Sequence, residues 1–354
     1  MKSAEGTDAG TLRPARANVT MRDVAERAGV SLMTVSRVIN NATSVTAKTR
    51  DRVEQVVAEL GYRPNLGARR LAGGRSMFVG LLYNNPSPGY LSKVLTGGLN
   101  ACREHGHHLV LEDFAQSAPY SDPVPSVRAL NLADLDGLVV TPPLSVHQPF
   151  MEALRTSGLP TVSIAPDETD RDGLWVAMDD ELAVEDMVAF IAAQGHTRIG
   201  FVRGPDDHAA SRLRWQGFVR GMAAHGLSIE EASIRLGDFT YPSGLLAGLS
   251  LLRADNPPTA VIASNDDMAA GVIGAAHQMG VSVPSQLSVA GFDDIELART
   301  VWPELTTVRQ PIAAMTARAV ALLTAHLNGK ASATQGVTLP HEIVERGSVA
   351  PPPR

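Results

Sequence analysis

Among the 354 residues there is one cysteine, Cys102, so no intramolecular disulfide can staple the fold. No run of about eighteen apolar residues occurs, which excludes a spanning helix. The first eighteen residues, MKSAEGTDAGTLRPARAN, contain no apolar stretch of the kind a secretion signal needs. They read as a leader without structure of its own, and PPPR at the other end reads as a frayed tail. A cytoplasmic protein is expected. Catalytic signatures are missing as well: there is no G-x-S-x-G, no P-loop, no H-E-x-x-H and no dehydrogenase glycine fingerprint. The ten histidines show no metal-ligand spacing beyond His105, His107 and His108, which border a predicted strand and read as turn and surface residues. No enzyme, cofactor or metal site is expected. No internal repeat is legible, and without leucine heptads near the C-terminus a tetramerising coiled coil is not expected.

What is present is apolar bulk, 44% hydrophobic against 19% charged residues, enough for a packed core in a chain long enough for two or three domains. The charge is unevenly spread. Between Val19 and Arg75 there are ten basic residues (Arg22, Arg27, Arg37, Lys48, Arg50, Arg52, Arg63, Arg69, Arg70, Arg75) and five acidic ones (Asp23, Glu26, Asp51, Glu54, Glu59). That segment sits near +5, and a net charge of -6 then leaves -11 for the rest. In the same segment Met21, Val24, Ala25 and Ala28 recur at i, i+3, i+4 and i+7, with Thr20 placed to cap and Gly29 to stop a short helix. Ser31 caps a second helix with apolar Val35, Val38 and Ile39. Thr46 caps a third, burying Val53, Val56, Val57 and Leu60. Three short helices with a glycine turn between the first two is the helix-turn-helix plan, which directs Leu32, Met33, Thr34, Ser36 and Arg37 toward the major groove. The alternative is a small helical bundle with a solvated charged face.

The run AERAGVSLMTVSRVIN, followed by VTAKTRDRVEQVVAELGYRPN and continuing through LGARRLA without a gap, resembles the DNA-binding headpiece of the lactose-repressor (LacI/GalR) family of bacterial transcription regulators. The likeness extends over nearly the whole chain after residue 18. It implies that Leu32, Met33 and Arg37 read bases. Two adjacent apolar readers suit thymine methyl groups and Arg37 suits a bidentate contact to guanine. Thr20, Thr34, Ser36, Asn40, Thr46, Lys48 and Thr49 are assigned to backbone phosphates, which fix register without selecting sequence; Arg22 fits either class or solvent. Past Gly61 and Pro64, the eight residues NLGARRLA are too few for a stable isolated helix, and off DNA they read as a flexible linker. The resemblance implies a hinge helix that forms on DNA, with Asn65, Ala68 and Leu71 at the minor groove and Leu71 wedged between central base pairs.

From Met77 onward MFVGLLY, HHLVLEDF, DGLVVTP, PTVSIA, RIGFVRG, TAVIAS and SVAGFDD read as buried strands. Helical patterns lie between them at 89–105, 147–157, 180–194, 209–225, 241–254 and 265–279. Such alternation means an α/β fold with parallel sheets and helices on both faces. The resemblance implies two lobes like those of periplasmic sugar-binding proteins, crossed three times, near Val176, Val308 and Gln335. The expected organisation is a leader at 1–18, a small all-α headpiece at 19–64, and a hinge and linker at 65–75. A two-lobed effector-binding and dimerisation domain follows at 76–349, then a tail at 350–354. Within the large domain the N-lobe spans 76–176 and 308–335, and the C-lobe 177–307 and 336–349.

Ligands of open parallel sheets sit beyond the carboxyl ends of the strands. In the first lobe NNPSPGY and TPP bring Tyr90 and Thr141 there and LGDFTYPSG offers Phe239; SNDDMAAG places Asn265 with Asp266 beside it, and GFDD places Asp293. The resemblance puts Arg214 on a ligand-contacting arginine, and Gln310 lies at a crossing. Asp, Asn and Arg match vicinal hydroxyls, and Tyr90 and Phe239 offer apolar faces to a pyranose, so a sugar or sugar acid fits. Each residue has a structural alternative: strand-end capping for Asp293 and Asp294, a surface turn for Asn265, an ion pair for Arg214, and packing under the proline turn for Tyr90. Trp215 reads as core. The expectation is a homodimeric, sequence-specific regulator, a repressor of a pseudo-palindromic operator controlled by a small effector. The alternatives are an activator of the same family and a sugar-binding transport component.

Overall fold

The computed structural model describes residues 20–39, 45–60, 76–113, 127, 130, 132, 134–167, 171–330 and 335–353. The chain divides into two compact units, Met1–Ser76 and Met77–Arg354.

In the first unit α1 (Met21–Ala28) opens on a capping box: the Thr20 hydroxyl and N–H both donate to the Asp23 carboxylate, and the Thr20 hydroxyl accepts from Asp23 N–H. It closes at Gly29, whose φ of 63° turns its N–H back to the Ala25 and Glu26 carbonyls, a conformation that glycine adopts without strain. The Ser31 hydroxyl then accepts from Thr34 N–H at 3.1 Å to start α2 (Leu32–Ile39), and α3 (Ala47–Leu60) follows. Val24, Ala25, Ala28, Val35, Val38, Val53 and Val56 form the core, so the helical spacing of these small residues becomes one shared apolar face.

The second unit runs β1 (Phe78–Tyr83), α4 (Pro88–His105), β2 (His108–Asp113), β3 (Gly137–Val140), α5 (Gln148–Ser157), β4 (Thr161–Ile164), β5 (Leu174–Met178) and α6 (Asp180–Ala193). It continues with β6 (Ile199–Arg203), α7 (Ala209–Ala224), β7 (Ile234–Leu236), α8 (Tyr241–Leu252), β8 (Ala260–Ala263), α9 (Asp266–Gln278), β9 (Ser288–Phe292) and α10 (Leu297–Thr300). The last elements are β10 (Thr306–Arg309), α11 (Ile312–Leu327), β11 (Gln335–Leu339) and β12 (Glu342–Val344). Among the described residues the strands form two six-stranded sheets, ordered β11-β5-β4-β3-β1-β2 and β12-β10-β9-β8-β6-β7. Neighbours are parallel except β12, which runs antiparallel to β10. Each sheet reverses order at its first strand, with β1 between β2 and β3 and β6 between β7 and β8. A crevice therefore opens beyond the carboxyl ends of each sheet.

The strands run past the crossings read from sequence. β5 ends at Met178, β10 stays in the second sheet through Arg309, and β11 stays in the first through Leu339, so the last crossing falls at Pro340 rather than near Gln335. The C-terminal segment is also not frayed as far as it is described. Ala350 accepts from His196 and donates to Ser288, and Pro352 packs on Gly195. A buried histidine needing partners draws the chain end onto the second lobe. His107 and His108 pack against the first sheet, His107 through Met77 N–H and His108 stacked on Phe78 with ring centroids 4.9 Å apart.

Candidate functional site

In the headpiece the α2 helix presents Leu32 and Met33 at 51% and 65% exposure, with Arg37 exposed on the next turn. Lys48 and Thr46 are exposed and Thr34, Ser36 and Thr49 half-buried. Thr20 is exposed and caps α1, its hydroxyl donating to Asp23. Asn40 and the hinge residues Asn65, Ala68 and Leu71 lie outside the described residues.

In the two-lobed unit nearly every strand delivers its following residues to one cleft. After β1 come Asn85, Ser87 and Tyr90, after β3 Pro142, after β4 Ala165 and after β5 Asp180; from the second lobe come His208, Ala210, Arg214, Phe239, Asn265 and Asp293, with Gln310 at the crossing after β10. The cleft holds about 480 Å³ of space between atoms, part of it open to solvent. Six of the seven effector residues expected from sequence line it. Thr141 does not: it is fully buried, and its hydroxyl donates to the Leu82 carbonyl, which ties β3 to β1. Phe239 is a correction too: it follows β7, an edge strand of the second sheet, and so belongs to the second lobe rather than the first.

Arg214 organises the cleft. Its Nε donates to Asp180 at 2.7 Å, one Nη donates to the Ser264 carbonyl, and the other lies 3.9 Å from Asp293, while its guanidinium stacks 3.6 Å over the Phe292 ring. It is 4% exposed, so the ion pair is shielded from water and is strongly geometric. Asn265 caps α9 through Met268 N–H and donates to the Phe239 carbonyl. Burial pushes the Asp293 carboxyl up to about 7, with Arg214 pulling it the other way. Burial likewise raises the Tyr90 phenol, with the charge of Asp293 adding to the effect.

Neighbouring carboxyls are structural. Asp266 is fully buried and accepts from Ile295 N–H and the Thr307 hydroxyl, so it shapes the loop that carries Asp293. Burial and then the Asp293 charge raise it well above the ordinary carboxylate range. Asp294 pairs with Arg309 and Arg346; burial works to raise it, but those two hydrogen bonds hold it low. Trp215 is half-buried and packs against the core beside Phe201 and Phe218, with Arg203 over its ring.

The non-glycine residues with positive φ among those described are Ala165, Phe239, Asp293 and Asp294, at 47°, 66°, 108° and 50°. Three line the cleft and the fourth adjoins it. Strain concentrated this way marks a site the surrounding fold over-determines. Phe239 keeps its pose because Gly204 lies beneath it: a Cβ there would stand 2.2 Å from the ring. Three contacts close the cleft across the lobes: Ser87 to Asp267 at 2.7 Å, Arg212 to Asp167 at 2.5 Å, and Lys93 to the backbone carbonyls of Asp293 and Asp294.

The model of bacterial regulatory proteins of the lacI family matches residues 20–65, and that of the periplasmic binding protein-like domain matches 188–349. The ribose operon repressor of Escherichia coli (strain K12) is 34% identical over 333 residues, 93% of this chain and 99% of its own. The chain belongs to the lacI family. Among solved structures, the lac repressor dimer bound to operator and the anti-inducer ONPF aligns over 94% of this chain and 100% of that one, with 29% identity and a TM-score of 0.71. The transcriptional regulator CelR in complex with cellobiose aligns over 93% and 99%, with 28% identity and a TM-score of 0.70. As a lacI-family member the protein is a DNA-binding transcription regulator under small-molecule control, not an enzyme. No helix among the described residues is long and apolar enough to cross a membrane.

Sequence reading missed Asp180, His208, Asn85 and Ser87. Asp180 follows β5, whose five residues LWVAM were not read as a strand; with that strand recognised, the strand-end rule finds it. His208 stands five residues beyond β6, past a turn, where no such rule reaches.

Proposed function

We propose that the protein is a repressor that binds a pseudo-palindromic operator as a homodimer and alters its operator affinity when a carbohydrate occupies the interlobe cleft. The observation that carries this is the pairing, in one chain, of exposed apolar readers on α2 with a buried, strained polar cleft. Leu32 and Met33 gain apolar contact only when thymine methyl groups cover them, and Arg37 supplies a guanine contact one turn on. Thr34, Ser36, Asn40, Thr46, Lys48 and Thr49 hold phosphates, and Asn65, Ala68 and Leu71 enter the minor groove as the resemblance implies. One headpiece makes too small an interface for tight specific binding, so two half-sites are required. The lac repressor aligned above is a dimer on its operator, and CelR holds cellobiose; both favour the same reading here.

The test is selection of duplexes from a randomised library, followed by anisotropy titration at several salt concentrations. A two-fold-related consensus and a log–log salt slope of about -0.9 per phosphate, with roughly six to ten contacts per dimer, is expected. A slope near zero sinks the reading.

A further inference from the structure

The cleft's charge and its spare hydrogen-bonding capacity are both set by the protein. Asp180 and Asp293 line it, Asp267 closes it against Ser87, and among the described residues Arg214 and Lys93 are the cations set against these three carboxyls. Both cations are committed, Arg214 to Asp180, Ser264 and Asp293, and Lys93 to backbone carbonyls. The Asn265 amide is committed to Phe239 and Met268.

Two buried polar atoms of the lining remain without a partner. Gln310 is 5% exposed, lines the cleft, and its Oε1 has no hydrogen-bond partner among the described residues. His208 Nδ1 lies 2.9 Å from Asp207 Oδ1, and with Nδ1 donating there Nε2 of an uncharged ring is an acceptor; Nε2 is buried and likewise without a partner among the described residues. Unmatched buried acceptors are unfavourable, and a ligand donor relieves them.

We propose, resting on the effector reading above, that the cleft selects an uncharged, hydroxyl-rich ligand whose O–H groups donate to Asp293, Gln310 Oε1 and His208 Nε2, and that it rejects carboxylated and phosphorylated relatives of that ligand. A carboxylate or phosphate brings acceptors to acceptors. It also brings negative charge into a desolvated site that already disfavours the charged form of Asp293.

Calorimetry on the full chain with matched sugars tests this: D-glucose, gluconate, glucose 6-phosphate and glucosamine; D-galactose and galacturonate; D-ribose and ribose 5-phosphate; cellobiose and cellobionate. The neutral member of at least one set binds, and its charged relatives bind at least tenfold more weakly. Gln310→Leu and His208→Leu each weaken the bound sugar at least tenfold, with folding checked by an unfolding scan. Tighter binding of an anion or of glucosamine than of the neutral sugar, or binding by no member, overturns the assignment. Operator binding by the same preparation separates the failures. If it persists, only the ligand class is wrong; if it is absent, the regulator reading itself falls.

Discussion

Leu32 and Met33 stand 51% and 65% exposed at the start of α2, whereas Arg214 and Asp293 are each 4% exposed at the head of the cleft. The two units thus depart from the usual burial pattern in opposite senses, one with apolar side chains outside and the other with ionic groups inside. Each departure suits a different ligand. On the function proposed above, the exposed apolar side chains of α2 await a partner that brings its own apolar edge. The buried ionic groups are held by the fold, so their contacts do double duty and cannot be removed without a structural effect. Substitutions in the two regions should therefore separate binding from stability in different ways.

The largest effect is expected for Arg214→Leu. Two buried carboxyls lose their cation, and breaking such a pair is expected to lower stability by about 3–5 kcal/mol. Thermal unfolding of the full chain checks this, and an unchanged transition contradicts the buried network. Next is Arg37→Ala, expected to weaken operator binding by about 1–3 kcal/mol per half-site and to relax preference at one base pair. Asp293→Asn is expected to weaken the effector by an order of magnitude or more, about 1.4 kcal/mol, and to leave the operator unresponsive to it. Titration calorimetry with and without operator reads this out. Leu32→Ala and Met33→Ala are expected to change stability by less than about 0.5 kcal/mol while relaxing thymine preference. A large stability loss there would mean that these side chains belong to the core.

A further effect concerns pH. The Asp293 carboxyl titrates near 7 in the folded protein against an ordinary value of 3.8, so the native state holds the extra proton across that interval. Its contribution to stability is then full at low pH and declines as pH rises from about 4 to about 7. His107 and His196, held low by burial, act in the opposite sense over the overlapping range, so the comparison must be between wild type and Asp293→Asn. The variant is expected to lack the part of the decline due to Asp293. Identical pH profiles would remove Asp293 from the titrating set.

Much of this was legible in the sequence because the α/β pattern writes itself as apolar runs ended by polar residues. TAVIAS before Asn265 and SVAGF before Asp293 are of that kind, and the six helices read from periodicity start and end within two residues of those observed. Thr141 shows the limit of the rule, since a residue after a strand can turn its hydroxyl back to a neighbouring strand as well as toward the cleft. β7 and β12, three residues each at sheet edges, are too short to show alternation. The helix α11 was not read at all, because IAAMTARAVALLTAHL is apolar on most sides and shows no clear stripe. The buried partners of Arg214 and the positive φ at Phe239 and Asp293 are products of tertiary packing, which no local pattern encodes.

The central claim is that the cleft and the headpiece are thermodynamically linked, and operator titration of the full chain with and without the saturating neutral sugar tests it most directly. By linkage the operator must change sugar affinity by the factor by which the sugar changes operator affinity. A shift of about 100-fold is expected, equivalent to roughly 2.7 kcal/mol over the dimer and matched in the reciprocal titration. Operator affinity that is the same with and without bound sugar would contradict it.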